Sequence, residues 1–385
     1  MGILDQIFHE SGENLLQDNE VKEIKKTYLM LKDTPVLEIE EYRCKILNYN
    51  LLPISLRYPD VNYDDVMHGW TESRGMNIGR TNAKKLLAGF RISQSNPYLI
   101  ARLFHFTSLS DSYWMKEEGE ELDWKKVSLF ANPLEKTVAE TALFGVSRTF
   151  FHLGQKVHTP EFTAQGMAAK AWIRDAEGLC LYKVGKKELP ASRILDALKI
   201  PHVSYSQAEE EKLKAVADQP HIDKIYNSGE KIVKCRIISS EEMAIVPWED
   251  FQVYCERHNK NEYDLVKQID SANYYKMQVA DYILGNEDRH GGNFGFFMDN
   301  RNGNISGLYP LMDHDHAFSD EEDIPSQTSE EDETLRQAAY KAIGHVKLDF
   351  DKIMEMERPE DLEEKQWETV LKRCRKLKET GGDLT

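Results

Sequence analysis

The spacing of apolar and polar residues changes twice along the chain and predicts three successive parts. Residues 1–145 carry apolar positions mainly at helical spacing, residues 146–240 alternate with a period of two around one helical stretch, and residues 241–385 return to helical spacing. The pattern therefore predicts a mainly helical N-terminal domain, a small lobe of strands and one helix, and a helical C-terminal lobe. A chain of 385 residues is long enough for two or three such units.

The first part contains two helical segments and an aromatic stretch. The segment RTNAKKLLAGFRI predicts an amphipathic helix, and Asn96-Pro97 in NPYLIARLFHF is a typical helix start. The stretch SDSYWMKEEGEELDWKKVSLFANP shows no sustained period, so we expect an irregular loop there. Its Trp114 and Trp124 are expected to be core residues.

The second part has the pattern of a small α+β lobe. KAWIRDAEGLCLYKVG predicts two strands joined by an Ala-Glu-Gly turn, ASRILDALKI predicts a helix, and KIVKCRIIS predicts a further strand. Strands around a single helix are typical of an α+β unit.

The third part is predicted to contain long helices and one hairpin. YDLVKQIDSANYYKMQVADYIL has apolar residues at helical spacing, and Gly285 just after it is a typical helix stop. FGFFM and ISGLYPLM flank an Asn-Arg-Asn-Gly turn, which predicts a β-hairpin. Trp367, Val370, Cys374 and Leu377 share one face of a predicted terminal helix. The acidic stretch DEEDIPSQTSEEDE is expected to be a mobile surface loop.

Composition narrows the classes of partner. A formal charge of -17 disfavours a large nucleic-acid-binding face, because neutralising phosphates requires clustered Lys and Arg. The five cysteines include no CxxC pair, which disfavours a zinc knuckle and fits reduced thiols. No apolar run approaches the roughly 18–20 residues that a bilayer span needs. We therefore expect a cytoplasmic protein with no membrane partner and no direct contact with nucleic acid.

The polar stretch NEDRHGGNFGFF, between the long helix and the hairpin, carries residues suited to phosphoryl transfer. Asp288 and Asn293 precede the hairpin and Asp313 follows it. Because a hairpin returns to its starting end, we expect these three side chains to be neighbours. One carboxylate can then orient a hydroxyl, while the amide and the other carboxylate hold Mg²⁺, which prefers hard oxygen ligands. Phosphoryl transfer needs this positioning and a cation on the phosphates.

The same chemistry requires a lysine on a strand of the other lobe. LCLYKVG supplies Lys183, and Glu188 just before the predicted helix is a candidate partner for its ammonium group. The segment EFTAQGMAAKAW precedes that strand and offers Thr163, Gln165 and Gly166 as a phosphate-binding loop. Neither a Walker A motif nor GxGxxG occurs in the chain.

These motifs resemble the catalytic segment of HipA-like Ser/Thr kinases, a family whose fold is shared with phosphatidylinositol kinases. The matching residues are NEDRHGGNFGFF, the following hairpin and PLMDHDHAF. The resemblance implies that Asp288 is the catalytic base, that Asn293 binds metal and that Asp313 is the second metal ligand. His290 also fits the family's N-x-D-x-H-x-x-N loop.

The resemblance covers residues 150 to about 345 and implies a bilobal, protein-kinase-like α+β fold that uses ATP and Mg²⁺. It implies that Lys183 is the nucleotide lysine and that KELPASRILDALKI is the helix carrying its glutamate. The expected substrate is a protein. SLSDSYWMK and DWKKVSLFANP resemble a larger group of bacterial HipA-related proteins, so the role of residues 1–145, a protein partner for them and any toxin–antitoxin role stay open.

Plainer interpretations of these residues stay open at this point. Asp288 and Asn293 would then belong to a polar loop that caps the preceding helix, and Lys183 would be a surface lysine on an edge strand. Glu188 would be part of a solvated charge run, and residues 163–166 would form a connecting turn.

Other functions also stay open. The run Asp313, His314, Asp315 and His316 suggests a metallohydrolase binding Zn²⁺ or Mn²⁺, although adjacent side chains cannot all face one ion. A kinase-like fold without activity, serving as a binding module, is a second alternative, and a lipid or small-molecule kinase is a third. Within the acidic stretch, Ser326, Thr328 and Ser329 are candidate phosphorylation sites, against the plainer interpretation of a solvated charge run.

Overall fold

The computed structural model describes residues 26–89, 101–148 and 158–381. Within these ranges the chain combines helices with three antiparallel sheets, which confirms a mixed α+β organisation. The strands are β1 Thr27–Leu31, β2 Thr34–Glu40, β3 Arg43–Ile46, β4 Tyr113–Glu117, β5 Lys170–Asp175, β6 Gly178–Val184, β7 Ser206–Gln207, β8 Ile232–Arg236, β9 Met243–Pro247, β10 Gly295–Asp299 and β11 Ile305–Leu308.

Helices of very different length accompany the sheets. Short 3₁₀ turns and one π-helical segment, Asp65–Trp70, connect β3 to the first α-helix. The α-helices are α1 Ala83–Gly89, α2 Trp124–Val127, α3 Lys136–Phe144, α4 Glu188–Ala197, α5 Glu210–Lys214, α6 Gln219–Asn227, α7 Trp248–Arg257, α8 Glu262–Leu284, α9 Leu335–Ala342, α10 Asp351–Met354 and α11 Glu364–Gly381. None of the helices in the described ranges combines the length and apolar content that crossing a bilayer requires.

The N-terminal part contains a four-stranded antiparallel sheet in the order β3-β2-β1-β4. This sheet was not part of the predicted helical domain, and the predicted aromatic loop includes strand β4. Strand β4 was missed because its partner β1 lies more than eighty residues earlier in the chain. With only five residues, β4 is also too short to show a clear alternation of apolar and polar positions. Trp114 and Trp124 are buried, as predicted. The predicted helix start at Asn96-Pro97 lies outside the described residues.

The second sheet has the order β5-β6-β8-β7 and confirms the predicted strands. The two-residue connection between β5 and β6 sets a register in which Lys170 pairs with Lys183. Since cross-strand partners project from the same face, the register places both lysine side chains on one side of the sheet. Helix α4 follows, as predicted, and begins at Glu188.

The third sheet joins the predicted hairpin β10-β11 to β9. Helix α8 leads into it and ends at Gly285, whose φ of 57° is the left-handed conformation predicted for a helix stop. The helix is kinked at Asp270, where φ is -156°. The Asp270 carboxylate accepts hydrogen bonds from the backbone N–H of Asn273 and from that of Leu308 in the hairpin. The kink therefore ties the helix to the sheet.

The first residues of the acidic stretch after the hairpin form ion pairs with the terminal helix. Asp320 pairs with Lys365, and Glu322 pairs with Lys372 and Lys376. The opposite face of α11 buries its predicted apolar stripe, which comprises Trp367, Val370, Cys374 and Leu377. Basic side chains on the outer face of the helix thus provide partners that local composition did not reveal.

The hydrophobic cores cross the predicted domain boundaries. Leu86 of α1 and Leu143 of α3 pack in one core with Phe162, Ala171 and Tyr182, which lie on the other side of position 145. A larger core joins α4, α8 and the N-terminal sheet. The boundaries at 145/146 and 240/241 stay predictions.

Gly285→Ala tests whether the end of α8 requires a residue without a Cβ, because the Ser319 carbonyl packs closely against Gly285. At Gly285 an added Cβ would lie 2.6 Å from the carbonyl oxygen of Ser319, whereas at Gly229 (φ 80°) it would meet no atom within 4 Å. We expect Gly229→Ala to cost about 1–2 kcal/mol of unfolding free energy from backbone strain. Gly285→Ala should cost an additional ~1–3 kcal/mol from overpacking.

Urea unfolding followed by tryptophan fluorescence measures both losses. Equal losses for the two variants would show that the contact with Ser319 relaxes freely.

Candidate active site

The structure brings Lys183 and Glu188 together in a buried ion pair. Lys183 lies on β6, a central strand with neighbours on both sides, and is 2% exposed. Its Nζ lies 2.5 Å from Oε1 of Glu188, the first residue of α4, which is fully buried. The alternative interpretation of Lys183 as a surface lysine on an edge strand is therefore wrong.

The end of the hairpin brings two further carboxylates to the same ammonium group. Lys183 Nζ lies 2.8 Å from Asp313 Oδ1 and 3.1 Å from Asp315 Oδ1. Asp313 has a φ of 58°, a left-handed conformation that is uncommon for a residue with a Cβ. We refer to Lys183, Glu188, Asp313 and Asp315 as the Lys183 cluster.

The three carboxylates of this cluster offer oxygen atoms within 4.8 Å of one another, close enough to share a metal ion. His314 faces Glu188 instead: its backbone N–H donates to Oε1 at 3.0 Å, and its Nδ1 lies 3.2 Å from Oε2. In the described part of the chain, no histidine belongs to a metal-capable group. The set of hard oxygen donors suits Mg²⁺ and does not provide the His and Asp ligands of the metallohydrolase alternative.

Burial and mutual charge set the protonation of the cluster. Burial opposes the charge of Lys183, but its carboxylate neighbours outweigh this effect and raise its pKa well above the usual value. Burial likewise opposes the charges of Glu188 and Asp313, yet Lys183 lowers the pKa of Glu188 to about 2 and that of Asp313 well below its usual value. Asp315 differs, because burial and the neighbouring carboxylates raise its pKa to about 6.

Lys170 is a second cation of the site that the sequence interpretation missed. It is 9% exposed, and burial lowers its pKa to about 8 despite the nearby charge of Asp313. Gly166, with a φ of 85°, packs against its ammonium group, so that a Cβ at this position would clash with Nζ. The short β5–β6 turn contained the signal, since its register pairs Lys170 with Lys183.

The candidate phosphate loop adjoins Lys170, but two of its predicted side chains serve structural bonds. The Thr163 hydroxyl donates to the Pro160 carbonyl at 3.2 Å, and Thr163 is buried. Gln165 Nε2 donates to the carbonyls of Ser73 and Gly75, at 2.9 Å each. The loop therefore presents Gly166 and Lys170 to the site, while Thr163 and Gln165 hold its shape.

The predicted catalytic loop has an accessible carboxylate and a buried amide. The Asp288 side chain is 42% exposed, and its Oδ2 lies 4.0 Å from Nε2 of His290, too far for a hydrogen bond. His290 Nδ1 accepts a hydrogen bond from the N–H of Gly292 at 3.0 Å. Asn293 Nδ2 donates to the Asp288 carbonyl at 2.9 Å. Asn293 therefore closes the loop on which Asp288 is displayed.

A buried ion pair that the sequence interpretation missed holds this loop beside the hairpin end. Arg289 is fully buried and lies 3.1 Å from the Asp281 carboxylate of α8. Its Nη1 donates to the carbonyl of Asn293 at 3.2 Å and to that of Met312, the residue before Asp313. One guanidinium group thus joins the two segments that carry the predicted metal ligands. An aspartate on the apolar face of a predicted helix was the available signal.

Comparison with known proteins identifies no family. No family model and no curated protein match the chain. Among solved structures, the proinflammatory kinase CtkA of Helicobacter pylori matches 56% of this chain and 92% of its own, with 14% identity and a TM-score of 0.38. At this TM-score the similarity does not define a shared fold.

The cluster should bind a divalent cation through Asp313 and Asp315. We expect Asp313→Asn and Asp315→Asn to weaken Mn²⁺ binding at least ~10-fold, since each removes a charged oxygen ligand. Gly185→Ala should also weaken it, because the added Cβ would lie 2.8 Å from Asp315 Oδ1. Electron paramagnetic resonance of Mn²⁺, with Mg²⁺ as competitor, measures the affinities.

Asp332, an exposed carboxylate, provides the matched control. If Asp332→Asn lowered Mn²⁺ affinity as much as Asp313→Asn, the binding would reflect general surface charge.

Proposed function

We propose that this chain is an ATP- and Mg²⁺-dependent kinase with a bilobal, HipA-like fold, which transfers a phosphoryl group to a Ser or Thr hydroxyl of a protein. The observation that carries the proposal is the buried Lys183–Glu188 pair set against Asp313 at the end of the hairpin. Kinases need a lysine held by a glutamate beside a metal-binding aspartate, because catalysis rests on positioned charge.

The charges of the site suit a nucleotide with its metal. Three carboxylates and two lysines leave one net negative charge when all are ionised, which favours a divalent cation. Asp313, Asp315 and Asn293 are the residues that would hold Mg²⁺, which when bound supplies positive charge to the β- and γ-phosphates. Lys183 and Lys170 are the cations that would contact the phosphates.

Asp288 is the residue positioned to act on the acceptor. Its exposed carboxylate would accept the proton of a Ser or Thr hydroxyl while the hydroxyl oxygen bonds to the γ-phosphorus. The bond from the γ-phosphorus to the bridging oxygen breaks, and ADP leaves. Asn293 holds the backbone of Asp288 during this step, and Arg289 holds the loop beside Asp313. His290 supports the loop geometry.

The accessible position of Asp288 allows a macromolecular acceptor, since a hydroxyl on a peptide must reach the carboxylate from outside. A cytoplasmic location and a protein partner of the N-terminal part belong to the same proposal. The kinase assay decides between a protein acceptor and a lipid or small-molecule acceptor when each class is offered in turn.

Phosphoryl transfer is tested by incubating the purified chain with Mg²⁺ and γ-labelled ATP. We expect the wild type to release ADP and gain label, with ~80 Da added per phosphate. Asp288→Ala and Asp313→Ala should lose ~10²–10⁴-fold in rate, because one removes the base and the other a metal ligand. Asp332→Asn should match the wild type.

Self-labelling should map to Ser326 or Ser329, which are partly exposed, rather than to Thr163 or Thr328, which are buried. Tight ATP binding without transfer to any acceptor would favour the non-catalytic binding module, and absence of ATP binding would overturn the proposal.

ATP affinity should fall as the pH rises through about 8. Burial lowers the pKa of Lys170 to about 8, so its ammonium is present below this pH and lost above it. The terminal phosphate, with a second pKa near ~6, is already ionised in this range. Calorimetry between pH 7 and 9 should show a roughly tenfold weakening.

Lys170→Arg keeps its charge at every pH in this range and should remove the pH dependence. A pH profile unchanged by this substitution would show that another group is responsible.

A further inference from the structure

A cavity of about 260 Å³ lies on one face of the N-terminal sheet and shares no residue with the Lys183 cluster. Its floor is a cross-strand row formed by Thr27 of β1, Ile39 of β2 and Glu117 of β4. Met67, on the π-helical segment, and Arg102 also line the cavity. Its volume is smaller than the ~300–1,000 Å³ of pockets that bind drug-sized ligands. The cavity therefore suits a ligand about the size of an amino acid.

The lining residues favour a cation with an apolar body. Glu41 and Glu117 contribute two carboxylates against the single guanidinium of Arg102, which lies 3.0 Å from Glu117. Glu41 is exposed and has no ion-pair partner among the described residues. Tyr63 and Phe106 add aromatic rings, whose faces attract cations. A small amine or guanidine with an aromatic or aliphatic body matches this lining.

The wall of the cavity includes two consecutive residues with a left-handed backbone. His105 and Phe106 have φ values of 52° and 58°, a conformation that costs about 1–2 kcal/mol per residue with a side chain. The His105 carbonyl accepts a hydrogen bond from the N–H of Met115 in β4 at 2.9 Å, which fixes the wall to the sheet. Such strained segments persist where the surroundings hold them, often at binding sites.

Arg74 connects this wall to the segment that precedes α1. Its Nε donates to the carbonyl of Phe106 at 2.7 Å. Its two terminal nitrogens donate to both carboxylate oxygens of Asp111, at 2.7 and 2.9 Å. The guanidinium is buried and held by these charge-assisted hydrogen bonds. A shift of Phe106 would therefore move Arg74 with it.

The residues on either side of Arg74 hold the candidate phosphate loop. Gln165 Nε2 donates to the carbonyls of Ser73 and Gly75, and Gln165 is next to Gly166, which packs against Lys170. A displacement of the cavity wall would therefore be passed to the loop through the buried hydrogen bonds of Arg74 and the more exposed hydrogen bonds of Gln165.

We propose that this cavity binds a small organic cation and that its occupancy adjusts the candidate phosphate loop through Arg74 and Gln165. The binding site stands on the cavity alone, whereas the adjustment of the loop rests on the proposed function. By linkage, a cation that changes ATP affinity has its own affinity changed by ATP to the same degree.

The cavity is tested with phenethylamine as the cation and phenylacetate as an anion of similar size. Titration of the full chain, followed by calorimetry or by amide chemical shifts, should show saturable binding of phenethylamine at millimolar concentration. Glu41→Gln, which keeps the side-chain shape, should weaken that binding at least ~10-fold, because the ligand loses its unpaired counter-charge. Glu40→Gln changes the neighbouring exposed carboxylate at the end of β2, which lies 3.7 Å from Lys26 and outside the cavity lining, and should leave amine binding unchanged.

Equal binding of phenylacetate, wild-type affinity in Glu41→Gln, or absence of saturable amine binding would each overturn the cation site. Circular dichroism of each variant verifies that the fold is retained.

The connection to the phosphate loop is tested by titrating Mg-ATP with and without saturating phenethylamine. We expect the dissociation constant of ATP to change by on the order of fivefold, a typical coupling between sites. Gln165→Ala should abolish that change while still binding the amine. An unchanged ATP affinity in the wild type would overturn the connection. If the chain bound no ATP, the proposed function would fail, and the amine titration would still decide the cavity.

Discussion

A single buried ammonium group holds the candidate active site together. Lys183 of β6 contacts Glu188 at the start of α4 and both Asp313 and Asp315 at the hairpin end, which lies about 130 residues further along the chain, so three segments meet at one charge. A lysine buried to this degree would lose its proton without such partners, and each partner would be costly to bury without the lysine. Because the lysine and the carboxylates stabilise each other's charges, β6, α4 and the hairpin end must come together in the fold. The three carboxylates outnumber the two lysines, and the net negative charge suits a metal ion that in turn binds phosphates.

Buried arginines extend the same principle to the surrounding framework. Arg289 pairs with Asp281 and joins the candidate catalytic loop to Met312, while Arg80 pairs with Glu161 at the base of the candidate phosphate loop. In the N-terminal part, the buried Arg74 forms a similar ion pair with Asp111. Breaking such a pair from one side typically costs 3–5 kcal/mol, because a buried charge is left without its partner. These pairs therefore specify the positions of loops that have few regular hydrogen bonds of their own.

The elements that the sequence predicted correctly are those whose signal is local. The β5–β6 hairpin, helix α4, the β10–β11 hairpin, the stop at Gly285 and the terminal helix each follow from a period or a turn within about twenty residues. In the N-terminal sheet, β4 was missed because it is short and pairs with β1 across a long separation, whereas the hairpins β1-β2 and β2-β3 are local and were overlooked. The ion pairs of the acidic stretch were not predicted because its partners, among them Lys372, lie on a helix that begins some forty residues later.

The sequence by itself determined which residues have suitable chemistry: Lys183, Glu188, Asp288, Asn293 and Asp313 stand out by type and spacing. Only the tertiary structure decided which of them meet, and it added Lys170, Asp281 and Arg289 to the site. It also assigned Thr163 and Gln165 to structural hydrogen bonds. The physical reason is that charge pairing and burial depend on distances through space, and the folded chain sets those distances by packing segments that are remote along the sequence.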